Sequence, residues 1–186
     1  MDGYLGAPLA FLVKAITGLY ILAVMLRFLL GVVRADFYNP ISQFLVRVTN
    51  PPLVFLRRFI PPFRRLDTAS IVLLLLLQMG TLGLIAGIRG GGIDLSGIFI
   101  LSVAELLNLV IDIFFFSILI QAILSWVNPG AYNPATALLF SLTRPILRPA
   151  QRLLPPIGGL DLSPVLAMIA LKALEMLLIP PLLHLL

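Results

Sequence analysis

The sequence predicts an all-α membrane protein. It has four transmembrane helices as two parallel tandem repeats, each with a cytoplasmic interfacial arm that is amphipathic and proline-rich. Three observations carry this reading. Hydrophobic residues make up 60% of the 186 positions and charged residues 11%. A soluble domain carries about 25% charged residues, so the bilayer is the natural solvent. The second observation is a frame that occurs twice, ninety-four positions apart: over 38–67 and 132–161, without a gap, twelve of thirty positions are identical. Such self-similarity marks an internal repeat. The third is charge: nine arginines fall in the two repeat-bearing connections and one in the connection between the repeats.

The first repeat covers 1–92, with spans at about 9–33 and 71–88 and an arm at 37–66; the second covers 93–186, with spans at about 96–126 and 164–179 and an arm at 132–160. The first eight residues hold Asp2 and no basic cluster, unlike a cleaved secretory signal, so the first span is read as uncleaved. That span is long enough for a hydrocarbon core of about 30 Å, although Lys14 and Arg27 interrupt it. In the first arm Asn39 suits a helix N-cap and Pro40 the first helical position. Ile41, Phe44, Leu45 and Val48 have the spacing of one apolar helical face, with Ser42 and Thr49 off it. Pro51-Pro52 is expected to end or bend this helix, and a second turn over 53–60 to stop at Pro61-Pro62. The arm is too short and polar to span, and is placed in the interface.

Asp67 reads as a helix-start residue for the second span, in which Gln78 is the main polar group. The run Arg89 to Gly92 is a flexible break; no Lys-Ser/Thr follows to make it a phosphate loop. The third span exceeds what one crossing needs and carries Glu105, Asn108 and Asp112 on one face. In the second arm, opened by Asn133 and Pro134, Leu138, Leu139 and Leu142 repeat the apolar face. Arg144, Arg148 and Arg152 line one side if that part is helical, which Pro145 and Pro149 leave open. Asp161 starts the fourth span, which holds Lys172 and Glu175 and is expected to break at Pro180-Pro181.

The arginine asymmetry puts both arms on the cytoplasmic side and both termini outside. Two spans per repeat make the repeats parallel, and a four-helix bundle about a pseudo-twofold along the membrane normal is expected.

The motifs Phe37-Tyr38-Asn39-Pro40, Thr143-Arg144-Pro145 and the run from Arg152 through Pro155, Pro156, Gly158, Gly159 and Asp161 to Pro164 resemble the YggT/YlmG family of bacterial and plastid membrane proteins. The resemblance covers nearly the whole chain. In the first copy Arg64-Arg65 replaces the glycine pair, so a role needing glycine there belongs to the second copy. The resemblance implies an integral protein of the bacterial inner membrane, linked to osmotic stress tolerance, to cell division and, in plastids, to assembly of membrane complexes. It implies no catalytic residue.

For chemistry, the chain has no cysteine, and it lacks His-Glu-x-x-His and Gly-x-Ser-x-Gly, so an enzyme is the weakest reading and no metal or cofactor is expected. The intramembrane polar residues are the first clues: Lys14, Arg27, Glu105, Asn108, Asp112, Lys172 and Glu175. Counted at 1.5 Å per residue from the cytoplasmic helix ends, Arg27 lies about 9 Å deep, Gln121 about 8 Å, Lys172 about 12 Å, Glu175 about 17 Å, Asp112 about 21 Å, Lys14 about 28 Å and Glu105 about 31 Å. This suggests Lys14 with Glu105 and Lys172 with Asp112 or Glu175, as packing pairs or as a transport path. Arg27 is expected to snorkel to the headgroups. The second clue is the arm cations Arg57, Arg58, Arg64, Arg65, Arg144, Arg148 and Arg152, which suit anionic phospholipids or a membrane or cytoplasmic protein partner. Nucleic acid fits poorly, because the arginines adjoin apolar spans. The leading reading is a membrane protein that organises or helps assemble other components; the alternative is a channel or transporter component, which with four spans needs a homo-oligomer.

Overall fold

The computed structural model describes residues 5–63, 66–92, 94–128, 130, 133–154 and 161–185. Arg64, Arg65, Pro155, Pro156, Gly158 and Gly159, named above, lie outside the described residues. Among the described residues the chain forms six helices: α1 (Gly6–Val32), α2 (Pro40–Leu56), α3 (Thr68–Ile88), α4 (Leu95–Val127), α5 (Pro134–Leu153) and α6 (Ser163–Leu183). Four of them, α1, α3, α4 and α6, are long and apolar enough to cross a membrane, which makes this a multi-pass membrane protein. The 33 residues of α4 reach about 50 Å, well past one hydrocarbon core.

Local chemistry sets where the helices begin. The Asn39 carboxamide oxygen accepts from the Ile41 amide at 2.9 Å, and Pro40 fills the first helical position. Asn133 and Thr136 satisfy each other's backbone amides at 2.9 Å in a capping box. Asp94 caps α4 by accepting from the amides of Ser96 and Gly97. Asp67 precedes α3 but its carboxylate takes the Ser70 hydroxyl, at 2.7 Å, in place of a backbone amide.

Two expectations need correction. Pro51-Pro52 and Pro180-Pro181 do not stop their helices; α2 runs to Leu56 and α6 to Leu183 with the prolines inside. Proline removes a donor and frees the carbonyl four residues back. In α2 those carbonyls belong to the exposed Arg47 and Val48, while Thr49 and Leu53 on the other side are fully buried. Packing on one face therefore holds the helix through a defect on the other. Pro145 and Pro149 likewise lie within α5.

The side of the first arm that packs on protein is distinct from most of its apolar face. The buried stripe of α2 is Ser42, Leu45, Thr49 and Leu53, whereas Ile41, Phe44 and Val48 are exposed. The small hydroxyl side packs on protein because hydroxyls can bond helix carbonyls at close range: Ser42 Oγ donates to Asp36 O at 2.9 Å and Thr49 Oγ1 to Leu45 O at 2.6 Å.

The second correction is that the spans do not close into a four-helix bundle about a twofold. Helix α1 packs on α3, α3 on α4 and α4 on α6, while α6 makes no close backbone approach to α1 or α3. A twofold would repeat the α3–α4 contact as α6 against α1. The second repeat instead stands beside the first in an open row. One apolar core joins α1, α2, α3, α4 and Leu142 of α5; another joins α4, α5 and α6 around Ile118, Leu147 and Ala167. The arms sit together at one end, where α2 touches α5 and Asn39 Nδ2 donates to Pro134 O at 2.7 Å.

If α2 is continuous, Pro51→Ala removes an interior proline whose helix penalty is about 3 kcal/mol. Helical circular dichroism is expected to stay unchanged and the melting temperature to hold or rise; a fall in both would contradict the continuous helix.

Candidate functional site

Each repeat builds a junction where its arm meets its first span. In the first, Arg27 projects from α1 and is only 8% exposed. Its Nη1 donates to Thr49 Oγ1 at 2.8 Å and Val46 O at 3.5 Å, and its Nη2 to Asn50 Oδ1 at 3.2 Å. Arg27 therefore does not snorkel. The arm folds across the last turns of α1 and supplies three neutral acceptors to the Arg27 guanidinium. The recess beside it is also lined by Gly31, Phe37, Arg57 and Asp67. Arg57 Nη2 lies 2.5 Å from Asp67 Oδ2, so this arm cation is spent within the chain, while Arg58 is exposed without a carboxylate partner among the described residues. Burial would push the Asp67 carboxyl up, but hydrogen bonds from Arg57 and Ser70 outweigh it and hold the group below the usual carboxylate range. A depressed folded value means the pair stabilises above the ordinary carboxylate pKa, and that stabilisation fades as pH falls toward the folded value.

The second junction has the same frame with the charges moved. Gln121 stands at the position of Arg27, Thr143 at that of Thr49 and Arg144 at that of Asn50. The Thr143 hydroxyl bonds the Gln121 carboxamide oxygen and also meets Leu139 O at 2.9 Å. Gln151 and Asp161, in the places of Arg57 and Asp67, bond at 3.0 Å. Burial raises the Asp161 carboxyl, yet its bonds from Ser163 and Gln151 leave it below the usual range.

The resulting recess, ≈ 360 Å³, is lined by Gln121, Ser141, Thr143, Arg144, Arg148 and Gln151. Arg144, Arg148 and Arg152 are exposed along one side of α5, and none meets a carboxylate among the described residues. A concavity lined by Phe140 and Leu147 as well as these polar groups, with unspent guanidinium groups on its wall, suits a phosphate or carboxylate.

The intramembrane residues fall into two places. Between α1, α3 and α4, Lys14, Thr17, Gln78, Thr81 and Glu105 share a cavity of ≈ 170 Å³. There Gln78 Nε2 donates to Glu105 Oε2, and no ion pair joins Lys14 to Glu105 among the described residues. The reason is that α3 packs closely on both α1 and α4, which puts Gln78 within reach of Glu105. Their bond also corrects the depth count, which sets Glu105 about 31 Å deep against about 12 Å for Gln78 by the same rule. The first helix of each repeat runs past the start of the second, so counts from helix ends use different zeros. In the other place Lys172 Nζ lies 3.3 Å from Asp112 and 2.6 Å from Glu175, and 5.1 Å from the Phe115 ring centre. Asn108 Oδ1 is buried without a partner.

Thr49 and Thr143 were not singled out from sequence as site residues, yet both span-to-arm bonds end on them. Their identity at matching positions of the two copies was the available signal. Thr49→Val removes the nearest of the three acceptors of a buried guanidinium and is expected to destabilise by about 1–3 kcal/mol, against about 1 kcal/mol for Thr143→Val beside a neutral amide. Unfolding in detergent checks the order; equal effects would contradict the assignment.

The CCB3/YggT family profile matches residues 6–88 and again 100–182. The chain is 45% identical over 171 residues to an uncharacterized protein of Pseudomonas aeruginosa, covering 91% of this chain and 87% of that one. It is 39% identical to an uncharacterized protein of Vibrio alginolyticus, covering 88% of this chain and 89% of the relative. To the uncharacterized protein YggT of Escherichia coli K12 it is 35% identical, covering 90% and 87%. No solved structure matches the chain. With both halves matched at the spacing of the internal repeat, the chain belongs to the CCB3/YggT family and carries two copies of its unit.

Proposed function

We propose that this chain is a non-catalytic organiser of the bacterial inner membrane. Its arms lie on the cytoplasmic face, both termini lie outside, and the recess of the second arm gathers anionic phospholipid. The observation that carries the reading is the contrast between the two junctions. In the first, both arginines that line the recess are engaged within the chain, Arg27 with Thr49 and Arg57 with Asp67. The second leaves Arg144 and Arg148 unpaired on the wall of an open recess. A solvated arginine needs no such wall, and spans already hold the protein in the bilayer. Gathering acidic lipid at one point gives neighbouring membrane components a local platform, which fits a part in their assembly and, through the resemblance, in osmotic stress tolerance or cell division. A membrane or cytoplasmic protein with an acidic segment would use the same arginines.

A conducting path has less support. The polar residues that could line one are divided between the inner cavity of Lys14 and Glu105 and the separate cluster of Asp112, Lys172 and Glu175 on α4 and α6.

Each basic residue near an acidic membrane surface contributes about 1 kcal/mol. The triple variant Arg144→Gln, Arg148→Gln, Arg152→Gln is expected to lose phosphatidylglycerol retained through purification, read by native mass spectrometry, while phosphatidylcholine retention and membrane insertion stay unchanged. Equal phosphatidylglycerol on both proteins would contradict the reading.

A further inference from the structure

We infer that α1 of a second copy of this chain packs on α6, repeating between chains the contact that α3 and α4 make within one. The inference stands apart from lipid binding by the arms.

The two repeats share a frame but not an environment. Leu106 and Ile113 of α4, with Leu138 and Leu142 of α5, are between 4% and 8% exposed, because the first repeat covers them. The matching residues of the first repeat are Leu12, Leu19, Phe44 and Val48, and these are between 38% and 71% exposed. The α3–α4 contact joins different faces of the unit, so one chain leaves one unused half of it at each end: the α1 and α2 face at one, the α6 face at the other. A heterologous contact of this kind closes when further copies complete a ring, the smallest having two.

Lipid alone is a poor cover for the α6 end. Gly18, Gln78 and Thr81 of the first repeat, roofed by α4, correspond to Asp112, Lys172 and Glu175 of the second. That second group is charged, carries one more acid than base, and has no roof: the side chains of Lys172, Asp112 and Glu175 are 40%, 45% and 26% exposed. Charges facing hydrocarbon are expensive. In the repeated contact, Phe11 takes the place of Glu105, the residue bonded to Gln78. The position of Gln78 is that of Lys172, so the second copy lays an aromatic ring over the ammonium from the side opposite Phe115, a favourable pairing in a dry site.

The chain has no cysteine, which allows a direct test in native membranes. Ala15 and Ile169, both exposed, correspond to Leu109 and Leu75, which pack against the same core. A short bis-maleimide should join Ala15→Cys protein to Ile169→Cys protein when the two are co-expressed, and neither to itself. Intact full-length protein in nanodiscs should hold two or more copies per particle. Ala15→Cys joining itself would show a face-to-face dimer and overturn the inference. A single copy per particle, or no joining of the mixed pair, would overturn it as well.

Discussion

The structure depends on a threonine hydroxyl in each arm that meets a polar residue of the preceding span, buried in the first repeat and half-buried in the second. In the first repeat Thr49 accepts from the Arg27 guanidinium; in the second Thr143 meets the Gln121 carboxamide. Each partner sits between one and two helical turns inside the end of its helix, where an unpaired polar group is costly. The bond can form only if the arm folds back across the span. That requirement turns the hydroxyl side of α2 toward protein and sends Phe44 and Val48 outward. It also carries α2 on through two prolines, since Thr49 and Leu53 are held on both sides of the pair.

Duplication then allowed the copies to divide their work. The first copy keeps its cation in the span and a neutral Asn50 on the arm; the second has the amide in the span and Arg144 on the arm. The recess of the second junction is lined by Arg144 and by Arg148, which stands where the first copy has Val54, and neither meets a carboxylate among the described residues. The spans divide in the same way. Neutral Gln78 lies beneath a neighbouring helix, whereas charged Lys172 lies at an uncovered face. The first copy is the more internally complete unit and the second the one turned toward partners.

Much of this was legible in the sequence. The spans announce themselves through length and apolarity, and the arms through capping asparagines and the repeated frame. The helical run of Arg144, Arg148 and Arg152 was visible in their spacing, although Pro145 and Pro149 left it open. What misled was reasoning from residues without neighbours. The exposed Ile41, Phe44 and Val48 are compatible with an interfacial arm, whereas the packing of Ser42 and Thr49 against protein had no signal in the spacing. Arg27 was assigned to the headgroups because reach was weighed and competing acceptors were not. The depths of Lys14 and Glu105 failed because each helix was counted from its own end, and only the Gln78 contact fixes a common level.

The most direct measurement exchanges the junction chemistry between copies. Arg27→Gln alone and Asn50→Arg alone should each lower the melting temperature, one by losing the cation from its acceptors and the other by adding a second cation beside it. The double variant rebuilds in the first repeat the arrangement found in the second, and the account predicts recovery of most of the loss, a coupling of about 1 kcal/mol or more. Losses that simply add would contradict the arm-to-span bond as the organising contact.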